Sequence, residues 1–130
     1  MRCLIVEDDD DTRALLVTLA RKEGCEVAEA DDGEEAIIRH TAALKIGSDF
    51  DLIILDLALP KADGISLARH FRATEKELGR KRAYILGITG YSQYVKATGV
   101  FKRAGIDDLK RKPLVLAELR ELIKRLEAKR

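Results

Sequence analysis

Residues 52–56 read Leu52-Ile53-Ile54-Leu55-Asp56, four apolar residues in a row closed by a carboxylate. A half-exposed strand alternates apolar and polar residues. An unbroken apolar run is what a strand covered on both faces requires, and that is the position of a central strand in a parallel sheet. The same unit recurs on both sides of it. Upstream, Leu4-Ile5-Val6 precedes a helical pattern from near Asp11 to Glu23, with Leu15, Leu16 and Leu19 at helical spacing. Glu26-Val27-Ala28-Glu29 precedes a helix from Gly33 to about Lys45, opened by Asp32 and Glu35 as the first and last members of a capping box. Downstream come a helix near Ile65 to Leu78, the run Tyr84-Ile85-Leu86-Gly87-Ile88, a helix near Ser92 to Ala104 and a short run around Leu109. A last helix carries Leu116, Leu119, Leu122, Ile123 and Leu126 along one stripe.

Five strand–helix units in strict alternation predict an α/β fold with helices on both faces of a parallel sheet. Right-handed crossovers leave few windings. The economical one is the flavodoxin-like, doubly wound five-stranded sheet with strand order 2-1-3-4-5 and five helices, as a single domain over residues 1–130. Gly99 in the fourth helix costs about 1 kcal/mol relative to Ala. Lys110 and Arg111 are poor core residues, but this order puts the fifth strand at an edge, where charge discourages edge-to-edge pairing.

The 130 residues are 46% hydrophobic and 36% charged, the balance of a globular chain, with a formal net charge of +1. That charge gives no argument for nucleic acid or an anionic membrane. No apolar run approaches the ~20 residues that span a bilayer, and the short N-terminal run meets acids at once, unlike a signal peptide. Cys3 and Cys25 lack metal-ligand spacing and fit small core hydrophobes of a cytoplasmic protein. His40 and His70 read as surface residues on helices.

Ligands of open α/β sheets bind beyond the carboxyl ends of the strands. There the sequence supplies Glu7 and Asp8 after strand 1, Asp56 after strand 3, Thr89 after strand 4 and Lys112 after strand 5. Singly, Asp56 reads as a turn residue, Thr89 as a strand-end hydroxyl and Lys112 as a solvated charge. Their joint placement argues for a site. Three converging carboxylates need a cation, and hard oxygen ligands without His or Cys select Mg²⁺, with Mn²⁺ as the alternative. A carboxylate beside such an ion can act as a nucleophile and form an acyl phosphate. Thr89 and Lys112 are suited to a phosphoryl group's oxygens.

With those residues in hand, the chain resembles the receiver domain of two-component response regulators over its full length. The matching segments are Leu4-Ile5-Val6-Glu7-Asp8, Asp56-Leu57-Ala58-Leu59-Pro60 with Asp63-Gly64, Ile88-Thr89-Gly90, and Lys112-Pro113. The resemblance implies that a sensor histidine kinase or histidine phosphotransfer protein donates from phosphohistidine to Asp56. It implies Mg²⁺ held by Asp8 and Asp56 directly, by Glu7 through water and by the Ala58 carbonyl. Lys112 would contact the phosphoryl group, and the peptide before Pro113 is cis in relatives. Thr89 would move toward the phosphoryl group and repack the face of helix 4, strand 5 and helix 5. That face is also open to dimerisation on phosphorylation.

The chain departs from the pattern at Leu109, where relatives carry an aromatic switch residue, and at Leu114, where Phe is frequent. Glu7 replaces Asp and stays an oxygen ligand. Ala58 cannot orient water, and Tyr91 shields the site, so a moderately long-lived acyl phosphate is expected. Turnover of an external substrate is not expected. A metal-dependent phosphatase working through an aspartyl phosphate usually has a second acid where this chain has Ala58. A receiver-like module that signals without phosphate is the other alternative, kept open by Leu109. No direct nucleic-acid or membrane partner is expected, and no effector domain identifies the output partner.

Overall fold

The structure is a computed structural model that describes residues 1–59, 63–90 and 98–129. Five parallel strands, β1 (Arg2–Val6), β2 (Glu26–Ala30), β3 (Leu52–Asp56), β4 (Tyr84–Thr89) and β5 (Asp108–Arg111), form one sheet in the order β2-β1-β3-β4-β5. Between and after them run α1 (Asp10–Lys22), α2 (Gly33–Lys45), α3 (Gly64–Glu77), α4 (Thr98–Arg103) and α5 (Leu116–Ala128). This is the flavodoxin-like winding that the alternation predicts.

The strand period of two divides the core between two faces. Leu4, Val6, Ile53, Leu55 and Ile85 face one side, where Ala36 of α2, Leu67 and Phe71 of α3 and Phe101 of α4 cover them. Ile5, Leu52, Ile54, Leu86 and Ile88 face the other, under Leu16, Val17 and Ala20 of α1 and Leu119, Leu122 and Ile123 of α5. Every residue of β3 is buried, as its unbroken apolar run demands. Lys110 lies on edge strand β5 and pairs with Glu118 of α5 at 3.5 Å.

Two helix starts turn the chain just past the site. Asp9 caps α1, its carboxylate accepting the Thr12 N–H at 2.8 Å. Asp63 caps α3 by accepting the Ser66 N–H at 2.7 Å. Gly64 follows because nothing larger fits: a Cβ there would lie 2.4 Å from Leu57 Cδ2 and 3.0 Å from Leu57 Cα. The helix start is thereby pressed onto the residue after Asp56.

Several expectations need correction. His40 is not a surface residue. It is fully buried, its ring 4.6 Å from that of Phe71 and 6.4 Å from that of Phe50. The reason is that Phe50 comes from the loop before β3 and Phe71 from α3, and together they roof this face of α2. Neither ring nitrogen of His40 has a hydrogen-bond partner among the described residues. On α1 the buried stripe is Leu16, Val17, Leu19 and Ala20, and Leu15 is 53% exposed. Of the expected capping box on α2, Asp32 accepts the Glu35 N–H at 2.8 Å, and the Glu35 carboxylate turns instead to Arg39 at 3.0 Å. The helix expected from Ser92 is helical over Thr98–Arg103, Gly99 included, and its first part lies outside the described residues.

Candidate functional site

The neighbouring strands β1 and β3 end at one spot. In the β1–β3 register Val6 pairs with Leu55, so Glu7 and Asp56 leave the sheet side by side. One oxygen each from Glu7, Asp8 and Asp56 can be chosen so that all lie within 4.8 Å of one another. Glu7 and Asp56 are buried, and Asp8 is exposed at the rim. Lys112 comes from just past β5, its backbone N–H donating to the Thr89 carbonyl at 2.8 Å. That bond carries the side chain toward β3, where Nζ stands 2.9 Å from Glu7 Oε1 and 3.1 Å from Asp56 Oδ2. The Lys112–Pro113 peptide is cis.

The two oxygens of Asp56 have different partners. Oδ1 accepts the Ala58 N–H at 3.0 Å, and Oδ2 accepts from Lys112. Ala58 thus touches Asp56 through its backbone, a contact that the sequence does not foretell. Burial works against the Asp56 anion, but the Glu7 carboxyl beside it, the Ala58 N–H and Lys112 outweigh it and hold the carboxyl below its usual range. Glu7 goes the other way. Burial first, then the Asp56 carboxylate beside it, pushes Glu7 up to about 7 against the pull of Lys112. Burial opposes the Lys112 ammonium, yet its bonds to Glu7 and Asp56 raise it. Asp56 is therefore kept ionised, which is the form a nucleophile needs.

Among the described residues, three carboxylates face one ammonium, and Glu7 Oε2 is buried with no hydrogen-bond partner. A buried carboxylate oxygen without a donor is costly, and a water carried by a divalent cation would donate to it. The all-oxygen donor set suits Mg²⁺ or Mn²⁺.

Thr89 is fully buried at the end of β4, one position beyond the Ile88 that pairs with Asp56. Leu109 is apart from the acids. It is buried on β5 opposite Gly87, and a Cβ at Gly87 would lie 2.9 Å from Leu109 Cδ2. Among the described residues, a Cβ on Gly90 would meet nothing within 4 Å. Tyr91, the expected shield, lies outside the described residues. One residue at the site escaped the sequence reading. Arg13 donates to the Glu7 backbone carbonyl at 3.0 Å, and a bond to a backbone oxygen leaves no motif behind.

Residues 3–124 match the model of the response regulator receiver domain, and the chain belongs to that family. The two-component response regulator ARR22 of Arabidopsis thaliana is 31% identical over 123 residues, which cover 95% of this chain and 81% of the relative. The hybrid signal transduction histidine kinase L of Dictyostelium discoideum is 30% identical over 95% of this chain, which spans only 7% of that kinase. Among solved structures, a mutant receiver domain of the histidine kinase CKI1 from Arabidopsis thaliana superposes with TM-score 0.83 at 27% identity, covering 98% of this chain and 89% of that one. A chain of the CheX–CheY–BeF3–Mg²⁺ complex from Borrelia burgdorferi superposes with TM-score 0.76 at 27% identity, covering 99% and 88%.

Proposed function

We propose that residues 1–130 act as one phospho-accepting unit in which Asp56 takes a phosphoryl group from a phosphohistidine donor. The observation that carries this is the buried Asp56 carboxylate, held ionised, with Lys112 on one oxygen and the Ala58 N–H on the other. In the transfer, an Asp56 oxygen forms a bond to phosphorus while the P–N bond breaks. The electron pair of that bond returns to the donor imidazole. Lys112 and Thr89 serve the phosphoryl oxygens, since charge compensation and positioning are most of what phosphoryl transfer requires.

Mg²⁺, or Mn²⁺ in its place, is held in this reading by Asp8, Asp56 and the Ala58 carbonyl, with Glu7 acting through water. When bound, the ion neutralises the charge that builds on the phosphoryl oxygens. Glu7 Oε2, unpartnered among the described residues, and the presence of BeF3 and Mg²⁺ with the related Borrelia chain support it.

Phosphorylation then shifts the packing of α4, β5 and α5 through Thr89 and Leu109, a population shift between two arrangements. Gly87 supports this role for Leu109, because its missing side chain is the space that Leu109 fills. Dimerisation through the same face is one consistent output. The donor is a sensor histidine kinase or phosphotransfer protein. We assign no turnover of an external substrate, since Ala58 stands where a second acid would be needed. Free, buried Cys3 and Cys25 fit a cytoplasmic location, and among the described residues no helix is long and apolar enough to cross a membrane. Phosphoramidate, a small P–N donor, tests the reading. With Mg²⁺ it should label the chain on the peptide containing Asp56, and label on a histidine peptide instead would refute the assignment.

A further inference from the structure

We propose that Arg13 is a positioning residue for the acidic site, fixing the Glu7–Asp8 peptide and with it the direction in which both carboxylates meet a divalent cation. The inference rests on the metal reading above. Arg13 lies in the first turn of α1 with its side chain 17% exposed. Its Nη1 donates to the Glu7 carbonyl at 3.0 Å, its Nη2 to Asp10 Oδ1 at 2.7 Å and its Nε to Glu29 Oε1 of β2 at 3.3 Å. One planar group thus joins the end of β1, the start of α1 and β2.

The Glu7 N–H donates to the Ala30 carbonyl of β2 at 3.0 Å. Both backbone polar groups of Glu7 are therefore held, one by the sheet and the other by Arg13. The Glu7 carbonyl and the Asp8 N–H belong to one rigid peptide plane. Holding that carbonyl fixes the position of the Asp8 Cα, from which its carboxylate reaches the site. The restraint is needed because Glu7-Asp8-Asp9-Asp10-Asp11 is a run of five acids, and adjacent like charges repel.

Charge and geometry give opposite expectations. As a nearby positive charge, Arg13 would weaken cation binding, and its removal would tighten it. As a positioning group it strengthens binding, as the partners that orient metal-binding groups do, typically by 10–100-fold. Lys keeps the charge but cannot reproduce the planar fork.

Calorimetric titration of the whole chain with Mg²⁺, without phosphodonor, separates these roles. Wild type is expected to bind, and Arg13→Gln and Arg13→Lys to bind about tenfold more weakly, with cooperative metal-free melting curves. Unchanged or tighter binding by Arg13→Gln would overturn the proposal. If Arg13→Gln does not fold, Arg13→Lys carries the test, because it keeps the charge and removes the planar fork. Weaker binding then supports the proposal and unchanged binding overturns it. Wild type without any Mg²⁺ binding would instead overturn the metal reading itself.

Discussion

The Lys112 ammonium stands 3.1 Å from Asp56 Oδ2, and it reaches Glu7 Oε1 at 2.9 Å with the same nitrogen. Glu7 and Asp56 are buried while Lys112 keeps partial contact with solvent. One cation thus serves two carboxylates that water barely reaches. Removing one partner of a buried ion pair leaves the other uncompensated, at a cost of about 3 kcal/mol. Lys112→Met should lower metal-free stability at pH 8 by that amount in urea unfolding. It should also slow labelling by acetyl phosphate by about 100-fold, the effect of losing one charge-stabilising donor. Unchanged kinetics would remove Lys112 from the phosphoryl site.

Mg²⁺ should stabilise the fold, because a ligand that binds only the native state adds about 2.7 kcal/mol at a concentration of 100 Kd. Thermal melts with and without Mg²⁺ check this. Asp8→Asn should remove most of the increment, and an equal increment in that variant would place the ion elsewhere.

His40 governs one side of the pH profile. Burial, with Arg72 and His70 adding to it and Asp49 opposing, pushes its imidazole from 6.5 down to about 4. Between those values the unfolded chain holds a proton that the native state does not, so stability rises with pH across the window. The contribution is fully present above 6.5 and lost as pH falls toward 4, to an extent of about 3 kcal/mol. His40→Leu should flatten this slope. It should also stabilise the protein at pH 7.5, since two buried nitrogens without partners among the described residues disappear. A slope that survives the substitution would assign the acid sensitivity elsewhere.

Glu7 tilts the same region the other way. Its carboxyl is raised from 4.5 to about 7, so the native state keeps a proton that the unfolded chain has released. Metal-free stability therefore falls as pH rises from 4.5 through 7. Glu7→Gln should leave only the rising limb from His40, which urea midpoints from pH 4 to pH 8 will show. A Glu7→Gln profile parallel to wild type would contradict the raised carboxyl.

Gly64→Ala tests how the nucleophile's loop is held. Its new methyl would lie 3.0 Å from the Leu57 backbone, and such overpacking costs about 1–3 kcal/mol. Stability and labelling rate should fall together, because Leu57 adjoins Asp56. A variant of wild-type stability would show that the helix start can move away freely.

Much of this was legible because apolar runs mark strands and the residue after each run marks the sheet's carboxyl end. Leu52–Leu55 located the central strand, and Glu7, Asp8, Asp56, Thr89 and Lys112 fell at the strand ends without further information. What escaped depends on partners distant in the chain. His40 is buried by Phe50 and Phe71, which no local pattern connects to α2. Arg13 acts on a backbone carbonyl, and carbonyls are the same in every residue. Leu15 and Leu16 both fit a helical stripe, and only the angle at which α1 lies on the sheet decides which of them is buried.

In this reading the phosphoryl acceptor is Asp56. Incubation with Mg²⁺ and acetyl phosphate, followed by intact-mass measurement, decides whether it is. A single phosphoryl adduct, removed by hydroxylamine and absent from Asp56→Ala, is the predicted result; an adduct that persists in Asp56→Ala, or none with any donor, would contradict it.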